Sequence, residues 1–353
     1  MKNLRPILSS LTLGLLITAG MLLSGCTKEG PQGPAGEDGA DGADGLDGEE
    51  QCGTCHDMST DVKSRIIQWE ASKHATGGNF DRNDAGCAGC HTNEGFRDVL
   101  ENGATDMVAS GTMENPTMIG CRTCHKIHES YSPADWNLTN QEPVTLIMGN
   151  GEPTDHGTGN VCASCHQARQ PSGGLPEPGG EDIEITYFRW GPHHGTQANM
   201  ISGQGGFEIA GDMSYGPEHT HYTMEGGCNT CHMAEANADK AGGHTMAMAY
   251  EQYGSSVPHT AGCQECHTGI ESFDFAGTQT EVRALLDELR TVLMERNMLD
   301  DSDHIIPDTY SANEAGSVYN YLFVLEDYSD GVHNHRYAKA LLNNTLDWLE
   351  ENK

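Results

Sequence analysis

The chain has 353 residues and a formal net charge of −33, from 52 acidic and 19 basic residues. Leu, Ile, Val and Phe together make up about 16% of it, too few to build a conventional hydrophobic core at this charge. The acidic balance also excludes nucleic acid as a partner. Either the chain is disordered, or a group other than side chains fills its interior.

Residues 1–26 have the features of an export signal. Two basic residues precede an apolar run from Leu11 to Leu23, which is too short to cross a bilayer comfortably. The run ends in Leu23-Ser24-Gly25-Cys26, which resembles a bacterial lipobox and predicts Sec export with a lipid on Cys26. We therefore expect a protein anchored to the outer membrane, on its periplasmic face or at the cell surface. A plain signal peptide with a spare cysteine is the alternative.

Residues 27–49 form an acidic segment in which glycine recurs at every third position from Gly30 to Gly48. This G-x-y period resembles collagen, in which only glycine fits the axis of three intertwined chains. Only two of the seven triplets carry proline, so an extended spacer between lipid and domain is the favoured interpretation. A stalk that brings three chains together is the alternative.

Twelve of the thirteen cysteines belong to six copies of the motif C-x-x-C-H. The copies, numbered 1 to 6 below, are Cys52-Cys55-His56, Cys87-Cys90-His91, Cys121-Cys124-His125, Cys162-Cys165-His166, Cys228-Cys231-His232 and Cys263-Cys266-His267. Two cysteines at this spacing can form thioethers with one haem, and the next histidine can ligate its iron. Zinc sites and disulfides do not require a histidine directly after every pair. The motifs therefore predict six covalently attached haems c.

Between 29 and 61 residues separate each motif histidine from the next motif cysteine, too few for a separate domain around each haem. We expect residues 50–270 to be a six-haem region of loops and short helices. Residues 271–353 should add helices packed on it. The predicted fold is therefore mainly α with extensive loops, built around closely packed haems that replace the missing aliphatic core.

Three C-terminal helices follow from the spacing of apolar residues. The first should begin at Thr278, which forms a candidate capping box with Glu281. Ser311 and Glu314 offer a second capping box. The last helix should run from about residue 336 to residue 348.

Twelve histidines lie outside the motifs, twice the number needed to give every iron a second axial histidine. They are His74, His128, His156, His193, His194, His219, His221, His244, His259, His304, His333 and His335. Any one of them, taken alone, is as easily an ordinary surface residue. This surplus of histidines makes it feasible for every haem iron to have two histidine ligands.

Four short segments around these histidines carry a resemblance to a known family. They are Trp69-x-x-Ser72-x-His74, Cys121-x-x-Cys124-His125-x-x-His128, Cys231-His232-Met233 and Gly331-Val332-His333-Asn334. In them the chain resembles the multihaem cytochromes c related to nitrite reductase, hydroxylamine oxidoreductase and octahaem tetrathionate reductase, over most of residues 50–353. The resemblance implies that the distal ligands are His74, His128, one of His193 and His194, His219, His244 and His333. His156, His221, His259, His304 and His335 would then have no ligand role.

Nitrite reductases of that family carry their catalytic haem on a motif ending in lysine, which this chain lacks. Catalysis also needs an iron with an exchangeable position, which a saturated histidine set would not leave. The expected function is therefore electron transfer in anaerobic respiration, with redox proteins or metal and mineral acceptors as partners and no catalytic residue. The alternatives are a reductase of nitrite, hydroxylamine or tetrathionate, and a subunit of a conducting filament.

The lipobox predicts the effect of replacing Cys26. The Cys26→Ala protein should leave the membrane fraction and keep its visible absorption spectrum, because only the lipid attachment site is lost. Fractionation of cells followed by haem staining measures this. A variant that stays with the membrane would contradict the lipid anchor.

Overall fold

The structure is a computed structural model that describes residues 52, 53, 56, 59–216 and 219–353. The predicted export signal of residues 1–26 with Cys26, the stalk of residues 27–49, and Cys55 lie outside the described residues. All described residues belong to one compact unit. Within them, no helix combines the length and the apolar character needed to cross a bilayer.

Most of the regular structure is helical, in agreement with the predicted mainly α class. The α-helices are α1 (Thr60–Ala71), α2 (Lys73–Thr76), α3 (Ala85–His91), α4 (Asn93–Asn102), α5 (Cys121–Cys124), α6 (Asn160–Ala163), α7 (Gln197–Ser202), α8 (Cys228–His232), α9 (Thr278–Glu295), α10 (Ala312–Leu325) and α11 (His335–Glu351). Short 3₁₀ turns cover Asn79–Asp81, Pro133–Trp136, Gly157–Gly159, Thr220–Thr223, Gly243–Thr245, Ala261–Cys263 and Phe275–Gly277. Before residue 275 the helices are short and long loops separate them.

Three antiparallel strand pairs complete the described part. The strands are β1 (Val144–Thr145), β2 (Pro153–Thr154), β3 (Ile183–Ile185), β4 (Ala249–Gln252), β5 (Ser255–Pro258) and β6 (Asp308–Tyr310). β1 pairs with β2, β4 with β5, and β3 with β6. The β3–β6 pair aligns Ile183 with Tyr310 and so joins the middle of the chain to its C-terminal region.

The three predicted C-terminal helices are confirmed, and one of their two predicted caps is wrong. Ser311 caps α10 as expected: its Oγ accepts from the Glu314 backbone N–H at 3.4 Å, and the Glu314 carboxylate accepts from the Ser311 N–H at 3.0 Å. Thr278, by contrast, is already the first helical residue of α9. The cap is Gly277, whose φ of +79° suits a residue without Cβ and leaves no side chain to accept a hydrogen bond.

A conventional side-chain core fills the C-terminal part. α9 and α11 bury one face each, and α10 is buried on nearly all sides, in a core that includes Trp190 and Phe207 of the segment 168–209. Gly316 on α10 permits this close approach, because a Cβ there would come within 2.0 Å of the Phe207 ring. The helices are therefore more than a thin layer, since the few large apolar residues of the chain are concentrated here.

This core predicts the cost of removing one of its residues. Leu289 on α9 is fully buried, so Leu289→Ala should lower the free energy of unfolding by about 2–5 kcal/mol through lost apolar burial and the cavity left behind. Chemical denaturation followed by circular dichroism measures the loss. Glu288→Ala, at the exposed neighbouring position, is the matched control. An equal loss in both variants would contradict the core.

Candidate functional site

One large cavity of about 3190 Å³ joins all six motifs. Cysteine and histidine residues of each motif line it. Shared among six motifs, its volume allows about 530 Å³ for each, within the ~300–1,000 Å³ range of pockets that hold one cofactor-sized molecule. The motif region has only small side-chain clusters, and its interior is a space bounded by the residues that the sequence marks as haem-binding.

Each motif histidine faces one histidine from elsewhere in the chain. The distances between ring centres are 6.1 Å for His56 and His128, 6.2 Å for His91 and His193, 6.3 Å for His125 and His244, 6.0 Å for His166 and His74, 6.3 Å for His232 and His333, and 6.4 Å for His267 and His221. No histidine occurs in two of these pairs. The six pairs therefore match the six motifs one to one.

The spacing of 6.0–6.4 Å fits a metal ion between two rings. Because a metal lies about 2 Å from an imidazole nitrogen, and that nitrogen about 1 Å from the ring centre, one iron between two rings separates their centres by about 6 Å. Histidines in direct contact are closer, at 4.7 Å for His219 and His221 and 5.0 Å for His219 and His335. The cavity, the cysteines and the ring spacing together fit haem c.

Hydrogen bonds at Nδ1 orient five of the paired rings. The Nδ1 atoms of His125, His221 and His232 lie 2.7, 2.7 and 3.0 Å from the carbonyl oxygens of Trp136, Val332 and Met246. His166 Nδ1 lies 3.2 Å from Gln197 Oε1, and His333 Nδ1 lies 2.6 Å from Asp327 Oδ1. Such bonds fix the ring orientation and tautomer and leave Nε2 as the ligating atom.

Desolvation favours, in several of the paired rings, the neutral form that metal ligation requires. Desolvation, with a smaller contribution from His166, lowers the pKa of His74 to about 4. Desolvation and then the charge of Arg169 lower the pKa of His193 to about 4. Desolvation also lowers the pKa of His166. These rings are therefore unprotonated at neutral pH.

The segment Trp69-x-x-Ser72-x-His74 places His74 through a change of helix. Ser72 ends α1 and caps α2, where its Oγ accepts from the Ala75 N–H at 3.3 Å. Trp69 Nε1 donates to the carbonyl oxygen of Ile119 at 3.2 Å and fixes the end of α1. The one-turn helix that follows points His74 at His166.

A carboxylate organises the loop that carries His128. Asp135 accepts from the backbone N–H groups of His128 and Ser130, both at 2.8 Å, and from Tyr131. His128 itself has a φ of +66°, a conformation that non-glycine residues adopt only when their surroundings hold it. The polar loop therefore sets the direction of the His128 ring toward His56.

His244 follows two glycines that are tightly packed. A Cβ on Gly243 would lie 2.5 Å from Gln68 Oε1, and one on Gly242 would lie 2.5 Å from His259 Nε2. Gln68 Oε1 also accepts from the His244 N–H at 3.0 Å. The glycines thus allow the close approach of α1 that holds His244 opposite His125, so this segment is anchored rather than a loose loop.

The structure differs from the sequence expectation at His219. His221, two residues further on, faces His267, whereas His219 Nε2 lies 3.1 Å from His335 Nδ1. The 3₁₀ turn Thr220–Thr223 determines which of the two rings faces His267. The sequence does not show where that turn starts. Of the adjacent pair, His193 faces His91, and the His194 Nδ1 lies 2.7 Å from the Glu326 carboxylate.

The remaining histidines lie away from the six pairs. His156 and His259 are buried. His304 lies 3.7 Å from the Asp300 carboxylate, and His335 contacts His219. None of these faces a motif histidine in the described part of the chain.

The motifs lie next to one another around motif 4. Cys165 Sγ lies 3.9 Å from the carbonyl oxygen of Gly89 in motif 2, and Cys162 Sγ lies 3.8 Å from Asn229 Oδ1 in motif 5, so motif 4 adjoins motifs 2 and 5. Cys124 of motif 3 packs against the same small apolar cluster as Cys162 and Cys165.

Motifs 1 and 6 lie at the ends of this arrangement. His128, which faces motif 1, is three residues beyond the histidine of motif 3. Gly262, before motif 6, lies so close to motif 5 that a Cβ would be 2.9 Å from Cys231 Cα. The six motifs thus form one connected, branched set.

Comparison with known proteins bears on the fold. No family model matches the chain, and no curated protein matches it. The crystal structure of the outer cell wall cytochrome OcwA matches with a TM-score of 0.50 and 21% sequence identity, over 81% of this chain and 50% of OcwA. The chain therefore spans about half the length of that cytochrome. At this identity the likeness shows a shared fold alone.

The geometry predicts opposite outcomes at His221 and His219. If His221 is an axial ligand, His221→Ala should convert one of the haems to a high-spin form. His219→Ala should keep all haems low-spin, since His219 lies outside the six pairs. Electron paramagnetic resonance and visible spectra of the two purified variants measure this. A high-spin signal in His219→Ala alone would restore the original expectation.

Proposed function

We propose that the chain is a six-haem electron carrier of the cell envelope. The observation that carries the proposal is the one-to-one pairing of six motif histidines with six other histidines at 6.0–6.4 Å. A set of unrelated surface histidines has no reason to match the motifs in number and spacing. Pairing of this kind supplies both axial positions of every iron from the chain itself.

The motif cysteines would hold the haems as thioethers, and the paired histidines would ligate the irons. The covalent positions are Cys52, Cys55, Cys87, Cys90, Cys121, Cys124, Cys162, Cys165, Cys228, Cys231, Cys263 and Cys266. The proximal ligands are His56, His91, His125, His166, His232 and His267, and the distal ligands in the same order are His128, His193, His244, His74, His333 and His221. When bound, haem iron accepts and releases single electrons.

The protein residues contribute rigidity and closeness. Asp135, Gln197 and the backbone carbonyl oxygens hold the ligand rings in one orientation, which limits rearrangement when the charge at the iron changes. The contacts of motif 4 with motifs 2, 3 and 5 hold neighbouring haem sites together. Such an arrangement suits passage of electrons through the chain more than storage at isolated sites.

The location and partners follow from the sequence. The lipobox at Cys26 favours attachment to the outer membrane, and the name of OcwA places that fold-related cytochrome at an outer cell wall. A net charge of −33 favours basic redox proteins or metal-ion acceptors over anionic substrates at long range.

The pairing predicts a specific spectroscopic signature. Six haems c per chain should appear in a pyridine haemochrome assay against protein mass. The ring planes are within 25–35° of parallel in the pairs of motifs 1, 3 and 5, and 71–84° apart in those of motifs 2, 4 and 6. Crossed planes bring the iron d orbitals that interact with the rings close in energy, which increases the g anisotropy. Paramagnetic resonance of the oxidised protein should therefore show three ordinary rhombic and three highly anisotropic low-spin haems. Four or fewer haems would contradict the assignment.

Carbon monoxide separates a carrier from a reductase. The dithionite-reduced protein should not bind carbon monoxide, because both axial positions of each iron are taken. It should be reoxidised by soluble ferric complexes and should not turn over nitrite, hydroxylamine or tetrathionate with a reduced viologen. His221→Ala is the positive control, since it opens one position. Carbon monoxide binding with sustained turnover in the unaltered protein would establish the reductase instead.

A further inference from the structure

Asp327 is a buried carboxylate in contact with one of the paired histidines. Its side chain is 0% exposed, and its Oδ1 accepts a hydrogen bond from His333 Nδ1 at 2.6 Å. The Ser329 hydroxyl donates to its other oxygen, Oδ2. The Ser329 hydroxyl oxygen also accepts from the His333 N–H at 3.1 Å, so the two side chains and the backbone form one small network.

This contact differs in charge from those of the other oriented rings. His125, His221 and His232 face backbone carbonyl oxygens at Nδ1, and His166 faces the neutral amide of Gln197. Among the twelve paired histidines of the described residues, His333 is the one whose Nδ1 faces a carboxylate. The pair His232–His333 is therefore electrostatically distinct from the other five.

A carboxylate at Nδ1 makes the ring a stronger electron donor at Nε2. The hydrogen bond is charge-assisted and draws the Nδ1 proton toward the carboxylate, which gives the ring part of the character of an imidazolate. Such a ligand favours the ferric over the ferrous state, because the more highly charged ferric iron is stabilised more by the added electron density. Burial strengthens the effect, since little water screens the carboxylate charge.

Resting on the proposed electron-carrier function, we propose that Asp327 acts through His333 as a positioning residue and gives motif 5 the lowest reduction potential of the six. Motif 5 lies between motif 4 and motif 6, through the contacts of Asn229 with Cys162 and of Gly262 with Cys231. A low-potential site there separates motif 6 from motifs 1 to 4. Electrons would pass between these two groups of motifs only when the electron donor has a sufficiently low reduction potential. Motif 5 would then act as an energetic barrier to transfer between them.

The test is a potentiometric titration of the six-haem protein and of Asp327→Asn. This substitution keeps the shape and the hydrogen-bond acceptor and removes the charge. The midpoint potential of the lowest reduction step should rise by about 59 mV or more. For one electron, this shift is a tenfold change in the ratio of oxidised to reduced haem. Glu326→Gln is the matched control, because it removes one carboxylate at the neighbouring residue, where the partner is the unpaired His194. In Glu326→Gln, the ratio of oxidised to reduced haem at the lowest reduction step should change less than twofold.

Ser329→Ala tests the sign of the effect. Loss of the Ser329 hydroxyl concentrates the charge of Asp327 on its bond to His333, so the same step should move downward. If Asp327→Asn shows a high-spin signal, that variant has lost the His333 ligand and no longer reports on the charge. Ser329→Ala then provides the test. The role of Asp327 would be overturned if the lowest midpoint potential is unchanged in Asp327→Asn while all haems stay low-spin. It would also be overturned by an equal shift of that potential in Glu326→Gln, or by an unchanged or raised potential in Ser329→Ala. Those results leave six low-spin haems in the unaltered protein and so leave the carrier proposal intact. A low haem count in the unaltered protein would instead defeat the carrier proposal itself.

Discussion

The architecture depends on one geometric constraint: each motif histidine must meet a second imidazole ring about 6 Å away, from a distant part of the chain. His74 and His166 are 92 residues apart, and His232 and His333 are 101 residues apart. With an iron between its rings, each pair becomes a cross-link of the chain. Six such cross-links would restrict the unfolded chain as metal sites do in small domains, which compensates for the scarcity of aliphatic residues.

The chain divides its stabilising interactions between two regions. Around the motifs, short helices and loops surround a cavity, and polar contacts such as those of Asp135 and Gln68 orient the ligand rings. In the C-terminal region, α9, α10 and α11 bury side chains in the usual way. The two regions meet after α10, where the chain leaves a rigid helix and presents Asp327 and His333 to motif 5. A solid side-chain core thus supports the segment that carries His333.

The six motifs also differ in their surroundings. Every motif histidine of the described residues faces one other histidine. The contacts of motif 4 with three other motifs make the connection branched rather than linear. Differences between the sites then come from what surrounds the ligands, such as a carboxylate at His333 and an amide at His166.

The sequence by itself predicted six attachment sites with their proximal histidines, and it determined the three C-terminal helices, because each depends on residues close together in the chain. A cysteine pair with its histidine is a local unit, and the capping box of Ser311 and Glu314 is another. The tertiary structure decided which distal ring faces which motif. His221 rather than His219 turns toward His267, and His193 rather than His194 toward His91, because the local turn and the packing of remote segments set the ring directions. The role of Asp327 was invisible in the sequence for the same reason: nothing near it in the chain shows that its carboxylate is buried against His333, and burial gives that contact its electrostatic weight.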